Sequence, residues 1–148
     1  MEDMAHARLE RIRALELQIG RKRELLKELR ASAGARAITY DAVRVQTTAA
    51  DTMSEACIKA ADLETEIRAD IRELVRDKNR ITDEIFKFVA KPTEQEVLYQ
   101  RYVKGETFKD IAERMNYTIR SIFEIRNSAL RTYAKALHLN SYKDNDIT

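Results

Sequence analysis

The chain is poor in the residues that interrupt helices or cross-link chains: its 148 residues include three glycines, one proline, one cysteine and no tryptophan. Strand-rich folds need a glycine or proline turn every ten or so residues, so this scarcity predicts an all-α protein with one modest core. A single cysteine excludes an internal disulfide. Because no stretch approaches ~18 consecutive apolar residues, we expect no membrane partner.

Charge of one sign is also lacking, since 27 basic and 25 acidic residues leave a net charge of +2. Any contact with nucleic acid must therefore come from local placement of charge. The N-terminus is acidic where a signal peptide is basic and then apolar, so we expect a cytoplasmic protein. His6 and His138 lie far apart without ligands at metal-binding spacing, and no glycine-rich phosphate loop is present. We expect no enzyme, no cofactor and no metal site.

Residues 1–91 carry apolar side chains at alternating steps of three and four, the pattern of helices that pack against each other. The members of this stripe are Ile12, Leu15, Ile19, Leu26 and Leu29, then Ala60, Leu63, Ile67, Ile71, Leu74, Ile81, Ile85 and Phe88. Lys22 occupies one position of the first stripe. We predict a helical hairpin, a coiled-coil-like oligomerisation stalk formed within one chain or shared across a homodimer.

Residues 34–50 are predicted as a loop, with Gly34 ending the first helix and Asp51 capping the second. Loops of this length inside compact domains are uncommon and tend to be functional or disordered. Two roles stay open for its apolar residues, which either pack against the hairpin or bind a partner: Tyr40, Val43 and Val45.

Pro92 marks the predicted boundary between the stalk and a compact head at residues 92–138, because the residue before a proline disfavours helical geometry. Thr93 and Glu96 are spaced as a capping box for the first helix of the head. Residues 139–148 are predicted as a flexible tail.

The sharpest functional signal is the spacing of Ala112, Asn116 and Ile122. A small residue lets two helices approach closely, an asparagine tolerates the left-handed backbone of a turn, and an apolar residue anchors the second helix. The expected helix ends agree with this register: Gly105, Thr107 and Thr118. Together they predict a helix-turn-helix that binds double-stranded DNA. A purely structural head is the alternative, because such spacings also occur by chance.

A helical wheel of the second helix separates a core side from a side that would face a major groove. The core side contains Ile122, Ile125, Ala129 and Tyr133. The opposite side contains Arg120, Phe123, Glu124, Asn127 and Arg131. Between residues 118 and 135 four basic residues face one acidic residue, a local charge of +3. The positive charge is thus concentrated where DNA binding needs it.

Groove chemistry suggests a role for each exposed side chain. Arg120 suits guanine and Asn127 suits adenine, whereas Glu124 suits the cytosine amino group and Phe123 the thymine methyl group. Phosphate contacts are predicted for Lys109, Thr118, Ser121 and Arg131. Two alternatives stay open: Glu124 forms a surface ion pair with Arg126, or Phe123 contacts another protein.

The head resembles region 4 of bacterial sigma factors, which reads the upstream promoter element. The resemblance lies in residues 93–102, 107–115 and 128–131, about the last third of the chain. With its long helical N-terminal half and the Val-Gln-Thr segment at 45–47, the chain is similar to phage and mobile-element regulators of the ArpU and RinA type. This similarity implies a regulator of late gene transcription. Sigma factors commonly carry basic residues at the positions of Ile119 and Phe123, and sigma region 2 is missing, so a full sigma factor is not expected.

The leading prediction is therefore a homodimeric, sequence-specific double-stranded DNA-binding regulator of transcription. A second prediction is a phage DNA-packaging adaptor resembling a small terminase, in which a ring of chains brings DNA to a motor ATPase. A third is an interaction module that docks on RNA polymerase through Ile119 and Phe123 without touching DNA.

Overall fold

A computed structural model describes the backbone of residues 2–43 and 47–145, with the side chains of 34–43, 47–54 and 145 excepted. These described residues form helices and no strand, which confirms the all-α prediction. The helices are α1 (Glu2–Val43), α2 (Thr47–Phe88), α3 (Pro92–Leu98), α4 (Phe108–Met115) and α5 (Ile119–Asn145), and a π-helical segment (Tyr99–Val103) directly follows α3. None of these helices combines the length and the apolarity that crossing a bilayer requires.

Helix continues into the segment that was predicted as a loop. Residues 34–43 belong to α1 and residues 47–50 to α2, so the prediction of a loop over 34–50 is wrong for these residues. Residues 44–46, and the side chains of Tyr40 and Val43, lie outside the described part of the chain. Helix α1 continues past Gly34 because of the local composition, since Ala31, Ala33, Ala35 and Ala37 surround this glycine. Alanine is the strongest helix former, and one interior glycine costs only about 1 kcal/mol.

Two helix ends also differ from the prediction. Helix α5 runs to Asn145, so the flexible tail is wrong for 139–145, while 146–148 lie beyond the described residues. No glycine or proline occurs in 139–145 to stop the helix. Helix α3 begins at Pro92 with Lys91 as its N-cap, so Thr93 is not the cap. Proline fits the first helical position because the N–H it lacks has no intrahelical partner there.

The chain divides into two compact units. The helix-pair unit is Leu15–Leu74, and the head unit joins Met1–Ala14 to Val75–Thr148. This division differs from the boundary predicted at Pro92, because the first turns of α1 and the end of α2 contribute to the core of the head unit. Leu9 and Ile85, for example, are both fully buried.

The helix-pair unit is held by one apolar cluster between α1 and α2. Its buried members are Leu15, Ile19, Leu26, Leu63 and Ile67, with Leu29, Ala60, Ile71 and Leu74 packed around them. All nine belong to the predicted stripe, so the periodicity identified the contact surface of this unit correctly.

Polar contacts cross the helix-pair unit beside that cluster. Lys22 Nζ lies 2.7 Å from Asp70 Oδ2, and Gln18 Nε2 donates to the same oxygen at 3.2 Å. Arg30 forms an ion pair with Glu64. In this unit, later residues of α1 meet earlier residues of α2. Lys22, the polar exception in the stripe, thus meets an acidic partner.

The head unit has a deeper core, and its largest fully buried side chains come from five helices and from the residue that follows α2: Leu9, Ile12, Ile81, Ile85, Val89, Val97, Leu98, Ile111, Ile122 and Tyr133. A polar network joins three of these helices. The carboxylate of Glu84 accepts from Tyr133 Oη at 2.6 Å and from Arg8 Nε at 2.9 Å. Burial by itself raises the pKa of Glu84, but the hydrogen bonds from Arg8 and Tyr133 outweigh it and lower that pKa. The network fixes α5 against α1 and α2 in its own unit.

Candidate nucleic-acid interface

Helices α4 and α5 are joined by a short turn whose residues carry the predicted signals. The Thr107 hydroxyl accepts from the Asp110 amide at 3.1 Å and caps α4. Asn116 ends α4 in the left-handed conformation, with φ of 59° and ψ of 39°. The Thr118 hydroxyl accepts from the Ser121 amide at 3.1 Å and caps α5. The predicted caps and turn residue are confirmed, as is the helix end at Gly105, whose φ is 74°.

A small core beneath the turn fixes α5 relative to α4. Val97, Ile111, Ala112 and Ile122 form its buried cluster, with Phe108, Met115 and Ile125 packed against it. Ala112 is almost fully buried, as expected for the small residue at which two helix backbones approach.

Helix α5 has one buried side and one exposed side. Ile122, Ala129 and Tyr133 are fully buried and Ile125 is half-buried. The opposite side, here called the reading side, consists of Arg120, Glu124, Asn127 and Arg131, which are all exposed. At 100° per residue these four span about 60° of the helix circumference. The wheel therefore divided α5 correctly into core and surface.

The remaining predicted site residues lie in α4, in the turn and in the first turns of α5. Phe123, Lys109 and Thr118 are exposed, whereas Ser121 is half-buried. Thr118 Oγ1 donates to Ser121 Oγ at 2.9 Å, so both hydroxyls take part in the α5 cap. Lys109 lies in the first turn of α4, and the other seven predicted residues lie between Thr118 and Arg131.

Two reading-side residues form a loose ion pair. Arg120 Nε lies 3.6 Å from Glu124 Oε1, and the side chains are 91% and 70% exposed. A pair this exposed contributes little to stability, so both groups can turn to other partners at low cost. The alternative that Glu124 pairs with Arg126 is wrong, because Arg126 lies against aromatic rings instead.

Those rings belong to a contact between α4 and α5 that the sequence pattern did not predict. We call this contact the ring cluster, and its members are Phe108, Phe123, Arg101 and Arg126. The Phe108 and Phe123 centroids are 4.6 Å apart. The Arg126 guanidinium carbon lies 5.3 Å from the Phe108 centroid and 5.5 Å from the Phe123 centroid, and that of Arg101 lies 4.2 Å from Phe108. The only sequence signal was the three-residue spacing of Phe123 and Arg126 on one helix.

A shallow groove of about 470 Å³ runs along the other flank of α5. Among its lining residues, Lys91 and Thr93 come from the start of α3, Tyr117 from the turn and Ser121 from the first turn of α5. Ser128 also lines it, donating at 2.7 Å to Glu94, a buried carboxylate. Ser121, a predicted phosphate ligand, therefore lines the same groove as Lys91 and Thr93. The sequence pattern did not predict that these three residues share a surface.

The described residues contain no group of three or more histidine, cysteine, aspartate and glutamate side chains that could hold a metal ion. The chain was compared with protein-family models, with curated proteins and with solved structures, and none of them matches. A function for this surface is therefore inferred from its own geometry and charge.

Proposed function

We propose that this chain is a sequence-specific double-stranded DNA-binding protein that regulates transcription, with α4 and α5 as a helix-turn-helix. One observation carries the proposal: α5 is anchored along Ile122, Ala129 and Tyr133 while its opposite side is exposed and polar. A major groove admits an α-helix, and a helix held firmly along its back presents its front side chains in a defined register.

The reading side supplies the groups that distinguish base pairs. Arg120 is placed for the two acceptors of guanine and Asn127 for adenine. Glu124 would accept from the cytosine amino group, and Phe123, which is next to the reading side on the helical wheel, would pack on a thymine methyl group. The loose Arg120–Glu124 pair keeps two side chains on this face without burying their charge.

Phosphate contacts come from the edges of this face. Arg131 is an exposed cation at the C-terminal end of the reading side, and Lys109 is an exposed cation in the first turn of α4. The start of α5 adds the hydroxyls of Thr118 and Ser121, and helix N-termini attract anions. These contacts would position α5 in the groove without reading sequence.

The finer assignment rests on the resemblance to sigma region 4. We propose a cytoplasmic homodimer of the ArpU and RinA type, acting on phage or mobile-element late genes and contacting RNA polymerase. In this proposal α1 and α2 form the antiparallel hairpin of a stalk, and a dimer would set the spacing of two half-sites.

Selection of bound sequences from random duplex DNA tests the proposal. Enrichment of one motif is expected, and a repeated half-site would also give the dimer spacing. Titration of the enriched duplex and of a scrambled duplex across salt concentrations then separates specific from non-specific binding. Equal affinity for both duplexes at every salt concentration would contradict the proposal.

Arg120→Ala is expected to lose about 1–3 kcal/mol of binding at one base position and to relax specificity there. Arg131→Ala, a matched arginine on the same helix, is expected to weaken binding to all sequences and to reduce the salt slope by about 1. Affinities for duplexes with each single base change measure both effects. A uniform loss in Arg120→Ala would reassign Arg120 to the phosphates.

Docking on RNA polymerase is favoured as a second candidate by one observation. The turn and the beginning of α5 expose three apolar side chains, Tyr117, Ile119 and Phe123. A double variant, Arg120→Ala with Asn127→Ala, should abolish specific DNA binding. If that variant still binds purified polymerase while Ile119→Ser does not, the docking function is supported.

A further inference from the structure

The ring cluster holds a guanidinium in an unusual setting. Arg126 is half-buried, and its Nε is buried without a hydrogen-bond partner. Its Nη1 donates to Tyr102 Oη over a long 3.5 Å. The faces of Phe108 and Phe123 lie within 6 Å of its charge, where aromatic quadrupoles attract a cation. Arg126 thus contacts mainly aromatic rings, and its buried Nε cannot reach a phosphate.

The ring of Phe123 belongs to the ring cluster and is next to the reading side on the helical wheel. It packs on Phe108 of α4 and on Arg126 one turn further along α5. It is nevertheless 38% exposed. A phenylalanine on a helix surface normally samples more than one rotamer, and contacts on two sides restrict it to one.

We propose that Arg126 and Phe108 are positioning residues that hold the Phe123 ring where it contacts the 5-methyl group of a thymine. This inference rests on the proposed DNA-binding function and adds a specificity determinant to it. Arg126 acts through Phe123 and not on a phosphate. Burial of one methyl group is worth about a fourfold change in affinity, which sets the size of the expected effect.

The test replaces thymine by deoxyuridine, which lacks only that methyl group, at each thymine of the selected duplex in turn. For the wild-type chain, one replacement is expected to weaken binding about fourfold. In Phe123→Ala and in Arg126→Met, the same replacement should have no effect. The salt slope of Arg126→Met should stay within about 0.5 of the wild-type slope, because no phosphate contact is lost.

Arg131→Met is the matched control, because Arg131 is an exposed arginine on the same helix. It should reduce the salt slope by about 1 and keep the full deoxyuridine effect. Phe108→Leu, which retains an apolar side chain but removes the ring, should weaken the deoxyuridine effect as Arg126→Met does. Thermal unfolding followed by circular dichroism identifies any variant that does not fold, and Arg126→Lys then replaces Arg126→Met.

The outcomes separate the two proposals. A wild-type chain that prefers no duplex overturns the DNA-binding function, and this inference with it. Specific binding without a deoxyuridine effect at any thymine, or with an effect that survives in Arg126→Met and Phe108→Leu, overturns the inference alone. A salt slope reduced by about 1 in Arg126→Met would show a phosphate contact and would also overturn it.

Discussion

The helix-pair unit and the head unit differ in how completely they bury apolar side chains. Each buried residue of the helix-pair cluster keeps 4–9% of its surface exposed. In the head unit, Ile85, Ile111, Ile122 and Tyr133 are completely buried. In a pair of helices, each helix buries one stripe of side chains against the other, whereas several crossing helices enclose a core from several sides. The comparison indicates that individual side chains stabilise the head more than the helix pair.

The polar contacts of the two units are similarly exposed but differ in one buried donor. Arg8 and Glu84 in the head unit keep 34% and 16% of their side chains exposed. Lys22 and Asp70 in the helix-pair unit keep 24% and 14% of their side chains exposed. Glu84 in the head unit accepts hydrogen bonds from two residues, Arg8 and Tyr133, and Tyr133 is fully buried. We therefore expect removal of the Glu84 carboxylate to be the more harmful change, since it leaves the buried Tyr133 hydroxyl without its acceptor.

Substitution of one isoleucine in each unit tests the difference in burial most strongly. Ile122→Ala leaves a cavity in an enclosed core and should lower the free energy of unfolding by about 4–5 kcal/mol. Ile67→Ala should lower it by about 2–3 kcal/mol, because water and neighbouring side chains can fill the space between two helices. Denaturant unfolding monitored by circular dichroism measures both changes.

Ile119→Ala is the control for that experiment. Ile119 precedes Ile122 by three residues on α5, and about half of its surface is exposed. The change should alter the free energy of unfolding by no more than about 0.5 kcal/mol. Equal losses in Ile67→Ala and Ile122→Ala would contradict the comparison of the two units.

Glu84→Gln tests the polar network of the head unit. The amide cannot accept equally well from both Arg8 and Tyr133, so the free energy of unfolding should fall by about 1.5–3 kcal/mol near neutral pH. Since the pKa of Glu84 is lowered in the folded state, this stabilisation is complete above about pH 4.5, its ordinary pKa. It is lost as the pH falls through the folded-state pKa.

The free energy of unfolding, measured from neutral to acidic pH, checks the direction of this pH dependence. The difference in the free energy of unfolding between wild type and Glu84→Gln should become smaller as the pH falls. Asp83→Asn, at the preceding position, is the matched control, because Asp83 is exposed. A difference between Glu84→Gln and wild type that grows on acidification would contradict the assigned direction.

The sequence predicted those parts of the fold that depend on neighbours along the chain. The stripe through Leu15, Ile19 and Leu63 follows from helical periodicity, and Asn116 follows from the few residue types that tolerate a left-handed backbone. Helix ends were less predictable. Gly34 looked like a terminus, but the alanines around it favour continued helix.

In the candidate site, too, the sequence predicted features of a single helix but not contacts between helices. Exposure of Arg120, Asn127 and Arg131 was predictable, because a wheel needs only the rise and turn of one helix. Contacts between helices were not, since Phe108 meets Phe123 only at the angle set by α4 and α5. The same limit applies to Glu84, whose partners are 76 and 49 residues away in sequence.

Asp70→Asn in the helix-pair unit should have the smallest effect. The hydrogen bond from Lys22 lowers the pKa of Asp70, so its charged form is favoured in the folded chain and stabilises it above the ordinary pKa of aspartate. Both partners remain partly exposed, so we expect a slightly lower unfolding temperature at low salt and no difference at high salt. Arg68→Gln is the control, because Arg68 lies 3.8 Å from Glu64 in a more exposed pair and its loss should change nothing measurable. A decrease in Asp70→Asn as large as that in Glu84→Gln would show that the helix pair depends on its polar contacts as strongly as the head does.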